Sequence, residues 1–81
     1  MKPGDRDHFK RLIGKCIKRV RLKKGLSLRQ LESLTGIEEA NLRKIESGTR
    51  LPSLPTIMLI AEALNVSHLA LQDFEFKMED R

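Results

Sequence analysis

The sequence predicts an all-α fold, a compact bundle of five short helices with a helix-turn-helix at its centre. Three observations predict it. Apolar residues recur at helical spacing along most of the 81 residues. Gly25, Gly36 and Gly48 stand where successive helices have to stop. Leu28, Leu31, Ile37, Leu42 and Ile45 let two short helices bury their inner faces across a turn at Gly36, leaving the outer face of the second helix free.

The first helix is expected over about residues 7–24. Phe9, Leu12, Ile13, Cys16, Ile17 and Val20 form its apolar stripe, and Lys10, Arg11, Lys15, Lys18 and Arg19 its polar face. Asp5 or Asp7 is the expected cap, and Gly25 the left-handed stop. Arg21, Lys23 and Lys24 suit the negative end of the helix dipole. The second helix should start at Ser27 as N-cap, with Gln30 completing a capping box, and end near Thr35. Gly36 makes the turn, because it takes positive φ without a Cβ penalty. The third helix is expected over about residues 38–47, with Glu38 and Glu39 in its first turn and Gly48 closing it. Ser53 caps the fourth, with Pro55 in its first turn; Leu54, Ile57, Met58, Ala61 and Leu64 form the expected inner stripe, Ile60 lies beside it, and Asn65 supplies the stop. Ser67 caps a short fifth helix reaching about Phe74, where Leu69 is the expected core residue, and residues 75–81 should be frayed. All of this reads as one domain over residues 1–81, with its core at about 7–74.

Composition narrows the function. Trp and Tyr are absent, and Phe9, Phe74 and Phe76 are the only aromatics, which argues against single-strand binding by base stacking. No apolar run approaches the roughly 20 residues of a membrane span, and the N-terminus lacks a signal-peptide core. His8 and His68 read as surface or capping histidines, and Cys16 as a core residue with no partner for a disulfide or a zinc site. No catalytic, metal or cofactor site is expected. The net charge of +5 is unevenly spread: residues 1–25 hold ten Lys/Arg against Asp5 and Asp7, whereas the last third is acidic. A basic end of this kind suits an anionic partner.

In order along the chain stand Arg21-Leu-Lys-Lys-Gly25-Leu-Ser27, Leu31, Gly36-Ile37, Ile45-Glu46-Ser-Gly48, Pro52-Ser53-Leu54 and Ile60-Ala61-Glu-Ala-Leu64-Asn-Val66. With these motifs the chain resembles the Cro/repressor-type (XRE-like) helix-turn-helix family over about residues 11–74, and so the lambda-repressor-like fold. The resemblance implies a transcriptional regulator of a prokaryotic or phage cytoplasm that binds double-stranded DNA sequence-specifically with its third helix in the major groove. Glu39, Ala40, Asn41 and Lys44 would face the bases, with Arg43 at the margin. In chemical terms, Asn41 could pair with adenine, Lys44 donate to guanine, Glu39 accept from cytosine N4 and Ala40 touch a thymine methyl. Ser27, Arg29, Ser47, Thr49 and Arg50 would contact phosphates, and Arg21 and Glu46 would form a structural ion pair between the first and third helices. A homodimer through the fifth helix and C-terminal region, by Leu71, Phe74 and Phe76, would match a palindromic operator.

Three positions depart from the family pattern. Leu28 replaces a common Gln, Glu32 replaces a small residue at the helix crossing, and Glu38 replaces a capping Ser or Thr. Glu32 could change the crossing angle or reach a basic residue. Glu38 and Glu39 put acid where phosphates approach, which favours the alternative: a protein-interaction module of the same fold with weak or no DNA binding. A phage-type repressor, a restriction–modification controller and an antitoxin all fit the pattern, and no small-molecule effector is expected in so short a chain.

Overall fold

The computed structural model describes residues 2–73, so the expected frayed end over 75–81, with Phe74 and Phe76, lies outside the described residues. These form four α-helices, α1 (Pro3–Lys23), α2 (Leu28–Thr35), α3 (Glu39–Glu46) and α4 (Leu54–Leu64), followed by a 3-10 helix (His68–Gln72). The fifth helix is therefore a short 3-10 segment of five residues rather than an α-helix.

Local chemistry explains most boundaries. Ser27 Oγ accepts from the Gln30 amide at 3.0 Å, and Gln30 Oε1 accepts from the Ser27 amide at 2.7 Å, which closes the capping box of α2. Gly36 takes φ +77°. Thr35 Oγ1 fills the turn by donating to the Leu31 carbonyl and accepting from the Ile37 amide. After α3, Gly48 at φ +80° lets its amide reach the Ile45 carbonyl and the Thr49 amide reach the Lys44 carbonyl, a Schellman ending. Asn65 stops α4 in the left-handed region, and Ser53 caps its start.

Two boundaries differ from expectation. α1 begins four residues early because Pro3 is preorganised for a first helical turn, and the Asp5 carboxylate accepts from the Lys2 amide at 3.3 Å rather than serving as N-cap. Glu38 is the N-cap of α3, with no side-chain cap bond, instead of a first-turn residue.

The core gathers Ile13, Ile17, Leu31, Leu42, Ile45, Ile57, Ile60, Ala61, Leu64 and Leu71. α1 packs on α3 and the 3-10 helix, and α2 packs on α3 and α4. Two core assignments change. On α4 the buried set is Ile57, Ile60, Ala61 and Leu64, while Leu54 and Met58 are 55% and 51% exposed, because the inner face centres on Ile60. In the last turn Leu71 is fully buried and Leu69 is 66% exposed, the reverse of expectation. At about three residues per turn, Leu71 shares a face with His68 and not with Leu69.

A close approach that the apolar pattern does not mark fixes α1 against α3. A Cβ on Gly14 would lie 2.4 Å from the Ile45 carbonyl oxygen and 2.7 Å from that of Glu46. Both are backbone atoms, so the two helices would have to part. Gly14→Ala should therefore destabilise by about 1–3 kcal/mol, roughly 5–15 °C in Tm, despite alanine's better helix propensity. Thermal denaturation of the variant checks this.

Candidate nucleic-acid interface

α3 is eight residues long and supplies two buried side chains, Leu42 and Ile45. At about 100° per residue its opposite side carries Ala40, Lys44 and Ser47, all exposed. Glu39 and Arg43 form one flank and Asn41 the other. Of the five residues assigned to base reading, Ala40, Arg43 and Lys44 are exposed on the outer side, and Glu39 and Asn41 are half-buried on its two flanks.

The flanks are internally bonded. Arg43 Nη2 meets Glu39 Oε2 at 2.6 Å in an i, i+4 pair. Arg50, from the loop after α3, donates from Nη1 to Asn41 Oδ1 at 2.7 Å. Glu39 therefore faces a cation on its own helix, which offsets the negative charge that its presence in the sequence suggested.

Arg21 and Glu46 meet as anticipated. Arg21 Nε donates to Glu46 Oε2 at 2.7 Å and Nη2 to Oε1 at 2.9 Å, a bidentate fork between side chains only 8% and 6% exposed. Nη1 donates to the Leu26 carbonyl at 2.7 Å. Hydrogen bonding to Glu46 holds the guanidinium above its ordinary pKa against the opposing effect of burial, so Arg21 stays cationic.

Above this pair Lys18, Leu28, Arg43 and Ser47 line a shallow depression where α1, the start of α2 and the end of α3 meet. Lys18 is a cation at this edge that helical periodicity assigns only to a general polar face. Its signal in the sequence is its position three residues before Arg21, which puts both on one side of α1. Asn41 and Arg50 line a second depression with Ser53 and Thr56. Of the five assigned phosphate contacts, Ser47 and Arg50 line these depressions, while Ser27, Arg29 and Thr49 are exposed and line neither. Ser47 Oγ donates to the Lys44 carbonyl and lies 2.8 Å from Thr49 Oγ1. Glu32 makes no ion pair among the described residues.

Cys16 is buried, with Sγ 3.3 Å from both the Ala70 carbonyl and Arg19 Nη2. Among the described residues no group of three or more His, Cys, Asp or Glu could hold a metal ion, and no helix is long and apolar enough to cross a membrane.

The helix-turn-helix family model matches residues 17–71, which spans α2, α3 and the ion pair that joins α3 to α1. The chain belongs to the Cro/repressor-type helix-turn-helix family. Among relatives of this family, it is 36% identical over 63 residues to an uncharacterized HTH-type transcriptional regulator, y4dJ, of Sinorhizobium fredii, covering 78% of this chain and 82% of the relative. The fold is similar to that of the restriction-modification controller protein C.AhdI from Aeromonas hydrophila, with TM-score 0.73, 31% identity, and 75% and 92% of the two chains covered. It is also similar to a helix-turn-helix family transcriptional regulator from Vibrio cholerae, with TM-score 0.78 and 36% identity over 82% of this chain and 37% of that one.

For this helix-turn-helix protein, Arg21→Ala should strand the Glu46 carboxylate in a desolvated site. The expected loss is about 3 kcal/mol, roughly 15 °C in Tm. Replacing both partners by apolar residues, as in Arg21→Met with Glu46→Leu, should cost less than Arg21→Ala alone. Thermal melts of the two variants test the ordering.

Proposed function

We propose that this protein is a transcriptional regulator that binds double-stranded DNA sequence-specifically, with α3 in the major groove. The observation that carries the reading is the outer side of α3, which presents Ala40, Arg43 and Lys44 to solvent with Asn41 half-buried on its flank, while Arg21 and Gly14 hold the helix from behind. Relatives that are themselves named transcriptional regulators and a controller protein support it. In this reading Lys44 donates to guanine, Asn41 pairs with adenine and Ala40 meets a thymine methyl. Glu39 holds Arg43 with one oxygen and keeps the other for cytosine N4. Ser27, Arg29, Ser47, Thr49 and Arg50 lie along the phosphates, and Lys18 joins them from α1. Residues 1–81 act as one domain.

The regulator binds as a homodimer. Leu71 is removed from the expected contact by its burial, and Phe74 and Phe76 lie outside the described residues. The outer side of α4 offers Leu54, Pro55, Met58 and Leu59, and Leu69 is exposed on the 3-10 helix. Exposed apolar surface of this kind suits coverage by a second copy. A two-fold dimer would set its recognition helices about 34 Å apart, one turn of DNA.

The acidic start of α3 favours a second reading, a protein-interaction module with weak DNA binding. Pairing of Glu39 with Arg43 weakens that case, leaving Glu38 as its main support.

A salt series on a duplex selected from a random pool separates the two. A DNA binder should lose affinity with a slope of log K against log salt of about −0.9 per phosphate neutralised. Lys18→Ala should reduce that slope by about one phosphate. Flat, weak binding to every duplex would favour the interaction module. For the dimer, sedimentation equilibrium should show a concentration-dependent dimer that Met58→Glu and Leu69→Glu shift to monomer; a monomeric parent protein would refute this part.

A further inference from the structure

We infer that Arg50 is a positioning residue for base recognition: its guanidinium fixes the amide orientation of Asn41, and the base preference at the position Asn41 reads depends on that bond. This rests on the DNA-binding reading above and adds a role for Arg50 beyond a phosphate contact.

The geometry begins in the backbone. The amides of Thr49 and Arg50 both donate to the Lys44 carbonyl, at 2.9 and 3.2 Å. Gly48, at φ +80°, is seated so closely on α1 that an added Cβ would lie 2.9 Å from the Arg11 Cα. The loop is thus held to α3 by hydrogen bonds and to α1 by contact. From this anchored position Arg50 reaches back nine residues along the chain to Asn41, where Nη1 donates to Oδ1 at 2.7 Å.

The bond has only one sense. A guanidinium has donors and no acceptor, so it can pair with Oδ1 but not with the Nδ2 amine of the amide. Without such a partner, an asparagine on an outward helix flank rotates between two orientations that exchange its donor and acceptor. With Arg50 present, Oδ1 is committed to one side and keeps one lone pair, and Nδ2 keeps its two hydrogens. An acceptor and a donor side by side are what the N6 and N7 edge of adenine complements in the major groove. Charge-assisted bonds strengthen when water leaves the interface, so docking on DNA reinforces the orientation that the free protein already has.

The two roles of Arg50 predict different results. A contact made only to phosphate would weaken all sequences alike, whereas a positioning role changes the preference at one base pair. The test uses the duplex selected from a random pool by the parent protein, with the position whose preference Asn41→Ala erases varied through all four base pairs. Arg50→Ala, at an exposed site and checked for an unchanged melting temperature, should reduce discrimination at that position by on the order of tenfold. Asn41→Ala combined with Arg50→Ala should discriminate no worse than Asn41→Ala alone, because the two residues act in series. Arg50→Ala that weakens the four duplexes equally overturns the inference and leaves the DNA-binding reading intact. Asn41→Ala that erases no preference also overturns it. A parent protein that selects no duplex removes both the inference and the DNA-binding reading.

Discussion

The buried fork between Arg21 and Glu46 is the interaction on which the geometry of α3 depends. A helix of eight residues has too little intrinsic stability to hold its own direction, so its neighbours must set it. Leu42 and Ile45 fix which side faces inward. Arg21 fixes the far end, because one guanidinium binds Glu46 through two nitrogens and the Leu26 carbonyl through the third. A single side chain therefore ties α1, the entry to α2 and the end of α3 together. Desolvation offsets much of the attraction in such a pair, so its main physical consequence is direction rather than net stability. The contact of Gly14 with the carbonyls of Ile45 and Glu46 works with it, since the fork needs α1 and α3 at this separation.

The charge of the first 25 residues looks uniform in the sequence but is divided by the fold. Arg21 is turned inward, Lys10 pairs with Asp7, and Arg19 approaches the sulfur of Cys16. Lys18 stands at the edge of α2 and α3, and Arg11 packs against Gly48 just after α3. A count of basic residues therefore overstates how much positive charge borders the outer side of α3. The opposite correction applies to acid. Glu39 is matched by Arg43 one turn away, so the outward half of α3 is less anionic than its composition implies.

Helix limits were legible in the sequence because their causes are local. Ser27 with Gln30, Gly36, Gly48, Ser53 and Asn65 each satisfy or release backbone groups within a few residues, and each stands where expected. The start of α1 was missed by four residues because Pro3 extends the helix beyond its apolar stripe. The Arg21–Glu46 pair was legible only through family resemblance, as its partners stand 25 residues apart.

By itself, the sequence determined that the chain is helical, where α2 and α4 begin and end, where α3 stops, and which side of α3 is apolar. Those properties follow from side-chain periodicity and capping chemistry, which act over one or two turns. Tertiary structure alone decided that α4 turns Ile60 inward and leaves Met58 exposed, that Leu71 rather than Leu69 closes the core, and that Lys18 shares a depression with Arg43 and Ser47 of the α3 end. It also decided that Arg50 holds Asn41. Each of these depends on how far a helix rotates against neighbours distant in the chain, and packing selects that rotation among faces that are all apolar enough to serve.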